Sequence, residues 1–284
     1  MILKEFRASR ATHSLVRAYR VIHFDLPWLE TAPVKFVPPG PDITLGFSLR
    51  DPGVAEYPGG RQFKAECALL GMHDMAVRNV CPKNLMLLQI AFQPGAVHRL
   101  FGICAGALFN QALDAVEALG PQLRRVHGRL QDARSYPQMV AIADAYIAGL
   151  ADRRHRGKDF DGPLRLLREN PSISIDWLAN QTSLSLRQFE RSCREHTGLT
   201  PRNFARLARC TRAFMTRLNH PDRDWLSIAI DCGYFDYQHM ARDFERFTGQ
   251  TPARAIAMQS TAPEGLLGMP HEFDVSYPDA RQFA

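Results

Sequence analysis

Residues 174–201 read SIDWLANQTSLSLRQFERSCREHTGLTP, residues 224–252 read DWLSIAIDCGYFDYQHMARDFERFTGQTP, and the second stretch repeats the pattern of the first. Superposing the two places Arg191 on Arg242 and aligns the Thr-Gly-x-Thr-Pro that closes each copy. Each copy has a short apolar-periodic segment, a tight turn and a second segment rich in Arg. The repeat therefore predicts two helix-turn-helix units in one domain.

Local signals predict where the helices of each copy begin. Ser174 and Asp224 stand where they cap the first helix of their copies, and Asp236 stands where it caps the second helix of the second copy. Ser185 and Gln188 form the Ser-x-x-Gln pattern of a capping box. Three further signals agree, a turn glycine suited to positive φ and two capping hydroxyls before a proline, at Gly233, Thr200-Pro201 and Thr251-Pro252.

On these residues the span 163–258 resembles the DNA-binding domain of the AraC/XylS family of bacterial transcription regulators. The most specific segment is LSIAIDCGYFDYQHMARDFERFTGQTP, with its Ile-Ala, three residues, Gly, an aromatic residue and a closing Gly-x-Thr-Pro. Two positions depart from the family pattern. Ser183 stands where the family usually has Gly, and Cys193 stands where a core aromatic is usual, as Phe244 is in the second copy. We expect both departures to soften the first unit.

The second helix of each unit is the predicted recognition helix. Such a helix enters the major groove, where each base pair displays its own pattern of donors and acceptors. In the first unit we expect Leu186 and Phe189 to face the core. The resemblance implies base-edge contacts from Arg187, Glu190 and Arg191, with Gln188 nearer the backbone.

In the second unit we expect Met240 and Phe244 to turn inward. The outward edge should then be formed by Tyr237, Gln238, Ala241 and Arg242. Arg suits guanine, Gln suits adenine and Ala suits a thymine methyl group. The alternative for each position is an ordinary solvated helix face, with the arginines in intramolecular ion pairs.

Residues 200–219 predict one long helix between the two units. At 1.5 Å per residue it would be about 27 Å long, close to the roughly 34 Å between successive major-groove faces on one side of a duplex. A rigid spacer of that length would let one chain read two adjacent turns. The expected buried side is Phe204, Leu207, Ala208, Met215 and Leu218. The arginines of its other side, either phosphate contacts or a solvated face, are Arg202, Arg206, Arg209 and Arg212.

The N-terminal half has the pattern of a β-rich domain, so the fold class is α+β. Short apolar runs separated by Pro and Gly predict strands of a small barrel or sandwich. The predicted strands are 18–24, 34–37, 43–49, 67–70, 75–80 and 85–92. The resemblance implies that this domain, residues 1–151, senses a ligand or carries a dimer interface.

Helical periodicity returns between residues 107 and 150. One helix carries the stripe Met139, Ile142, Ala143, Tyr146, Ile147 and Leu150, and Leu108, Leu113, Val116 and Leu119 predict another before Pro121. Each stripe packs on the barrel or pairs with its copy in a homodimer, and the sequence leaves both open. Residues 152–162, DRRHRGKDFDG, are a charged linker, and residues 259–284 form a tail to which the sequence assigns no function.

Composition excludes several classes of protein. The formal net charge is +6, and no Lys follows Lys158, so the basic residues beyond it are Arg and His. Arginine suits guanine edges and phosphates, although a preference for Arg codons explains the total equally well. No Cys-x-x-Cys pattern and no His-x-His spacing indicates a metal site, and no cofactor motif is present. The absence of a secretory signal and of an apolar run of roughly 20 residues predicts a cytoplasmic protein.

Together these patterns predict a sequence-specific DNA-binding transcription regulator and not an enzyme. The expected partners are double-stranded promoter DNA and RNA polymerase, with a small-molecule effector at the N-terminal domain and homodimerisation as further expectations. Two alternatives stay open for the N-terminal half: an interaction module bound by a regulatory protein, and an enzymatic domain fused to the DNA-binding domain.

Overall fold

The computed structural model describes residues 2–151, 160–263 and 274–276, and it divides into a strand-rich part followed by a helical part. The strands are β1 Ile2–Phe6, β2 Val16–Asp25, β3 Val34–Val37, β4 Thr44–Ser48, β5 Val54–Glu56, β6 Gln62–Phe63, β7 Cys67–Leu70, β8 Val77–Val80, β9 Asn84–Phe92, β10 Ala112–Asp114 and β11 Asp274–Ser276. They form a seven-stranded sheet in the order β10-β7-β4-β9-β2-β1-β11 and a four-stranded sheet in the order β3-β8-β5-β6. The α+β class predicted from the sequence is confirmed.

The longer apolar runs became strands close to their predicted bounds. β3 and β7 match their predicted bounds, and β2, β4, β8 and β9 differ from them by one or two residues at an end. The sequence missed β1, β5, β6, β10 and β11, which are short or lie outside an apolar run. All pairings are antiparallel except β1 with β11. The strand β4 is buried at all five positions and lies inside the larger sheet, paired with β7 on one side and with β9 on the other.

Four helices complete the strand-rich part: α1 Ala96–Phe101, α2 Ala115–Leu119, α3 Gln122–Gln131 and α4 Tyr136–Ala151. The predicted helix through Leu108, Leu113, Val116 and Leu119 is wrong. Those residues fall in a 3-10 turn at Ala105–Leu108, in β10 and in α2. Strand pairing of β10 with β7 overrides the local helical period there. The helix α3 was not predicted.

The helix α4 packs its apolar stripe on the strand-rich part. Met139, Ala143 and Ile147 are buried in the same core as the strands. The buried Tyr19 donates its hydroxyl to Oδ1 of Asp144 over 2.9 Å, which pins α4 to β2. The packing alternative therefore accounts for the buried side of this stripe, and dimerisation stays a proposal.

The helical part contains α5 Asp161–Glu169, α6 Ile175–Gln181, α7 Leu186–Thr197, α8 Pro201–Asn219, α9 Trp225–Asp231, α10 Tyr237–Thr248 and α11 Pro252–Ala257. Every predicted cap in this part is present: the side chains accept hydrogen bonds from backbone amides at the starts of helices α6 to α11. The helix α5 begins at Asp161, inside the predicted 152–162 linker. The rest of that linker, residues 152–159, lies outside the described residues, as does most of the 259–284 tail.

One hydrophobic core runs through both parts. Ionic and polar contacts add to it where the parts meet: Arg168 donates to Asp42 over 2.8 Å and Thr211 donates to the carbonyl of Pro39 over 2.8 Å. The carboxylate of Asp42 also forms an ion pair with Arg17 at 2.8 Å. Burial would raise the pKa of Asp42, but Arg168, Arg17 and Arg20 outweigh it and hold that pKa well below its usual value. The helical part is thus attached to the strand-rich part by charge as well as by apolar contact.

Candidate nucleic-acid interface

The turns of the two helix-turn-helix units share one backbone geometry. In the first turn the amide of Ser183 donates to the carbonyl of Asn180 over 3.1 Å, and in the second the amide of Gly233 donates to the carbonyl of Ile230 over 2.9 Å. Both residues have positive φ, 53° at Ser183 and 82° at Gly233. Ser183 therefore keeps the turn that glycine makes in the second unit, at a cost of about 1 kcal/mol in backbone strain.

The second turn is one residue longer than the first. Leu184 and Tyr234 are equivalent positions, because their amides donate to the carbonyls of Ala179 and Ala229, which lie five residues earlier in each unit. The helix caps Ser185 and Asp236 are also equivalent, but one more residue separates Tyr234 from its cap than separates Leu184 from its own. The extra residue is Phe235, whose ring is 87% exposed immediately before the cap of α10. Sequence reasoning did not single out Phe235. The one signal for it in the sequence is that the caps of the second helices, Ser185 and Asp236, are one residue further apart than the caps of the first helices, Ser174 and Asp224.

The helix α7 places its arginines on the side opposite its core residues. Phe189 and Cys193 are fully buried, while Arg187, Gln188 and Arg191 are exposed. The prediction that Leu186 faces the core is wrong, because its side chain is 44% exposed at the first turn of the helix.

Two of the predicted contact residues on α7 already have intramolecular partners. The side-chain oxygen of Gln188 accepts a hydrogen bond from the amide of Ser185 at 2.9 Å, which completes the capping box. Arg191 lies 3.8 Å from Glu195, but these side chains are 73% and 58% exposed, so the pair is weak in water. Glu190 is half-buried. Arg187 and Arg191 thus stay open to an anionic partner.

The helix α10 separates its two faces in the same way. Met240 and Phe244 are fully buried, as predicted, while Gln238 and Arg242 are exposed. Tyr237 is half-buried and packs against the core, and Ala241 is half-buried. Of the predicted outward edge, Gln238 and Arg242 thus face outward, whereas the prediction is wrong for Tyr237, whose ring packs on the core.

The helix α8 fixes the distance between the units. Its 19 residues give a length of about 28 Å, and Phe204, Leu207 and Phe214 are buried along its inner side. Met215 and Leu218, predicted to be buried, are half-buried.

Two arginines of α8 make intramolecular contacts that stabilise the fold. Nε of Arg206 donates to Oδ1 of the buried Asp243 over 3.0 Å, which joins α8 to α10. Arg209 donates to the carbonyl of Gly233 over 2.9 Å and stacks 4.9 Å above the ring of Tyr234. Both arginines therefore brace the second unit. Arg202 and Arg212 are the exposed members of the predicted set, and Arg212 also contacts the carbonyl of Glu169 at 3.5 Å.

Cys193 takes the core position of an aromatic residue in the second unit. Its thiol is fully buried, and burial raises its pKa to about 12. Phe160, which comes from outside the repeat, packs against Phe189 with the ring centroids 4.9 Å apart and the rings tilted by 58°. The first unit thus replaces a missing internal aromatic ring with one from the segment before α5.

The first unit lies against the strand-rich part, at the end of its recognition helix. The 3-10 turn at residues 105–108 packs on α7, and the thiol of Cys104 donates to the carbonyl of Glu195 over 3.0 Å. Gly106 fits so closely there that an added Cβ would come within 3.0 Å of the Arg194 carbonyl. The placement of α7 therefore depends on the strand-rich part. Within the described residues, no group of three or more His, Cys, Asp or Glu side chains is placed to hold a metal ion, and no helix is long and apolar enough to cross a membrane.

A family model described as a helix-turn-helix domain matches residues 178–257, which hold both turns, both recognition helices and α8. The HTH-type transcriptional activator RhaS of Pectobacterium atrosepticum is 35% identical over 88 residues. The C-terminal part of this chain is an AraC-type helix-turn-helix domain. RhaS of Salmonella arizonae is 37% identical over the same length.

The match to these activators is confined to the AraC-type domain. It covers 30% of this chain and 31% of each RhaS protein, so the chain spans less than a third of the length of these relatives. Among solved structures, ToxT from Vibrio cholerae aligns with 85% of this chain and 99% of its own at 9% identity and a TM-score of 0.49.

Proposed function

We propose that this protein is a sequence-specific DNA-binding transcription regulator that inserts α7 and α10 into adjacent major-groove turns. The observation that carries the proposal is the arrangement of its AraC-type domain: two recognition helices with buried inner faces and arginine-bearing outer faces, joined by one continuous helix. The relatives matched over this domain are transcriptional activators.

The two exposed arginines Arg191 and Arg242 are the proposed base-reading residues. They occupy equivalent places in the repeat, and a guanidinium donates two parallel hydrogen bonds to the edge of guanine. Arg187 and Gln238 extend the same outer faces. Glu190, Gln188, Tyr237 and Ala241 complete the proposed interface, with Gln188 and Tyr237 held by the cap and the core so that they position the helix more than they read bases.

The length of α8 supports the reading of two adjacent turns. Its span of about 28 Å approaches the roughly 34 Å repeat of the duplex, and the width of the recognition helices extends the reach. The bracing of α10 on α8 through Arg206 and Asp243 keeps this spacing fixed.

Selection of bound sites from a random DNA library tests the proposal. We expect the intact protein to select two short boxes about one helical turn apart. Arg191→Ala should relax one box and Arg242→Ala the other, each at a cost of about 1–3 kcal/mol at the contacted base. Arg129→Ala, which removes an exposed arginine of α3, is the matched control and should leave both boxes sharp. Salt-sensitive binding without any box would refute sequence-specific recognition.

The strand-rich part is the proposed receiver of the controlling signal. It packs on the end of α7, so a change in its structure reaches the first recognition helix directly. We further propose that the regulator acts on RNA polymerase at its promoter, forms a homodimer and works in the cytoplasm, where bacterial DNA lies. These assignments follow the AraC-type domain and its activator relatives. Chemical crosslinking of the intact protein with and without operator DNA tests the dimer.

A further inference from the structure

A cleft of about 630 Å³ lies between the strand-rich part and α5, the first helix of the helical part. One wall is formed by the segment between β1 and β2 and by the start of β2, and includes Arg7, His13 and Arg17. The opposite wall is one face of α5, formed by Gly162, Arg165, Leu166 and Glu169. A ligand in this cleft would touch both parts of the protein at once.

The cleft is lined by more positive than negative charge. Three arginines and a histidine line it against a single carboxylate, that of Glu169. Arg17 is paired with Asp42 at 2.8 Å and with Glu5 at 3.5 Å, so its charge is already balanced, but its Nε is buried without a hydrogen-bond partner among the described residues. A buried N–H without a partner costs free energy that an added acceptor would recover.

Arg165 is the residue that points most directly to a ligand. Its side chain is half-buried, and it makes no hydrogen bond or ion pair with any residue that the structure describes. Glu169 lies one helical turn further along α5, yet the two side chains do not pair. A guanidinium matches a carboxylate or a phosphate with two parallel hydrogen bonds. Arg165 is therefore available to an anion inside the cleft.

Apolar side chains in the same cleft indicate what else the anion carries. Leu166 is 45% exposed beside Arg165, and Ala8 and Val16 line the opposite wall. Such a mixture of cationic and apolar groups suits a small organic molecule with a carbon skeleton, because most ligand sites combine an apolar lining with a few placed polar groups. A cleft of this size, lined by two parts of the protein, fits a small molecule better than the continuous backbone of a duplex.

We propose that this cleft binds a small organic anion, carrying carboxylate or phosphate groups, with Arg165 as its principal contact. Binding would tie α5 to the strand-rich part. Since α5 packs on α8 through the same core, the anion would then act on the spacer between the recognition helices. This regulatory consequence rests on the proposed DNA-binding function, whereas the binding itself does not.

Isothermal titration of the full chain, without DNA and at constant ionic strength, tests the binding. The probes are citrate, glucose 6-phosphate and inorganic phosphate, of which the first two carry a carbon skeleton. We expect at least one organic probe to bind, Arg165→Ala to weaken it tenfold or more, and Arg165→Lys to weaken it less because charge is kept while the bidentate geometry is lost. Arg129→Ala should leave the affinity unchanged. Absence of binding, or an equal loss in the Arg129 variant, would overturn the proposal.

A second measurement separates this proposal from the proposed function. DNA affinity is measured by fluorescence anisotropy on the selected site, with and without the bound organic probe. A severalfold change in the intact protein that disappears in Arg165→Ala supports the regulatory role. An unchanged affinity for DNA would overturn that role while leaving the anion site standing. If Arg165→Ala weakens DNA binding without any probe, and no probe binds, the cleft contacts DNA phosphate and the proposal is wrong.

Discussion

The ion pair between Arg206 on α8 and Asp243 on α10 sets the placement of the second recognition helix, so its removal should be costly. The side chain of Asp243 is 1% exposed and that of Arg206 is 26% exposed. Breaking a buried pair by removing one partner costs about 3–5 kcal/mol, because the other charge stays buried without compensation. The two single substitutions should therefore differ.

Arg206→Ala leaves the carboxylate of Asp243 buried and unpaired, and we expect it to lower the free energy of unfolding by about 3–4 kcal/mol. Asp243→Ala leaves a guanidinium that can rotate into water, since Arg206 is already a quarter exposed. Its cost should be smaller, about 2 kcal/mol after this discount for solvent. The double variant should lose about 1–3 kcal/mol less than the sum of the two.

Urea denaturation of the full chain, followed by circular dichroism, measures the stability of the unchanged protein, the two single variants and the double variant under the same conditions. Arg202→Ala is the matched control, because Arg202 is an exposed arginine on the same helix and should change stability by less than about 0.5 kcal/mol. If Arg206→Ala costs no more than this control, or if the double variant is additive, the pair does not hold α10 and the bracing argument fails.

Four further substitutions test other parts of the structure. Ser183→Gly should stabilise the protein by about 0.5–1 kcal/mol in thermal melting, since Ser183 has a φ of 53°; Gly233→Ser should do the opposite, because its Cβ would lie 2.3 Å from the Ser172 hydroxyl. Asp42→Asn should lower the free energy of unfolding by about 2 kcal/mol at pH 7. Because the folded-state pKa of Asp42 is depressed, this difference should persist above about pH 4 and shrink as the pH falls further; a constant difference would contradict it. We also expect the exposed ring of Phe235, just before the cap of α10, to contact DNA, so Phe235→Ala should weaken binding to the selected DNA site roughly tenfold without changing stability; an effect no larger than that of removing the exposed ring of Trp28 would show that Phe235 does not contact DNA.

The helical part was predictable because its signals are local. Caps such as Ser174 and Asp236 and the Thr-Pro pairs act on backbone amides within three residues, so the sequence alone places each helix start. The repeat then supplies the pairing of the units. What the sequence could not supply were the long-range partners of its arginines. Arg206 and Arg242 look alike in the sequence, yet only the fold brings Asp243 against the first.

The strand-rich part was predictable where strands are long and apolar and not where pairing decides. The residues of β10 have a helical period, but they pair with β7, and no pattern within the segment predicts that pairing. The docking of the 3-10 turn on α7 is likewise a long-range effect. It depends on Gly106 and Gly198 meeting closely, at a point where an added Cβ on Gly106 would lie 3.5 Å from the Cα of Gly198.

The two units reach the same geometry by different means, and this difference assigns them different roles. The second unit contains its own turn glycine, its own core ring at Phe244 and its own ion pair to α8. The first unit keeps Ser183 in a strained conformation and takes the ring of Phe160 from outside the repeat. Its recognition helix also rests on the strand-rich part. A signal received there reaches α7 directly, whereas the second unit meets the strand-rich part beyond α11, where Gln259 donates to the carbonyl of Phe36 in β3. We therefore expect regulation to alter recognition of the first box before that of the second.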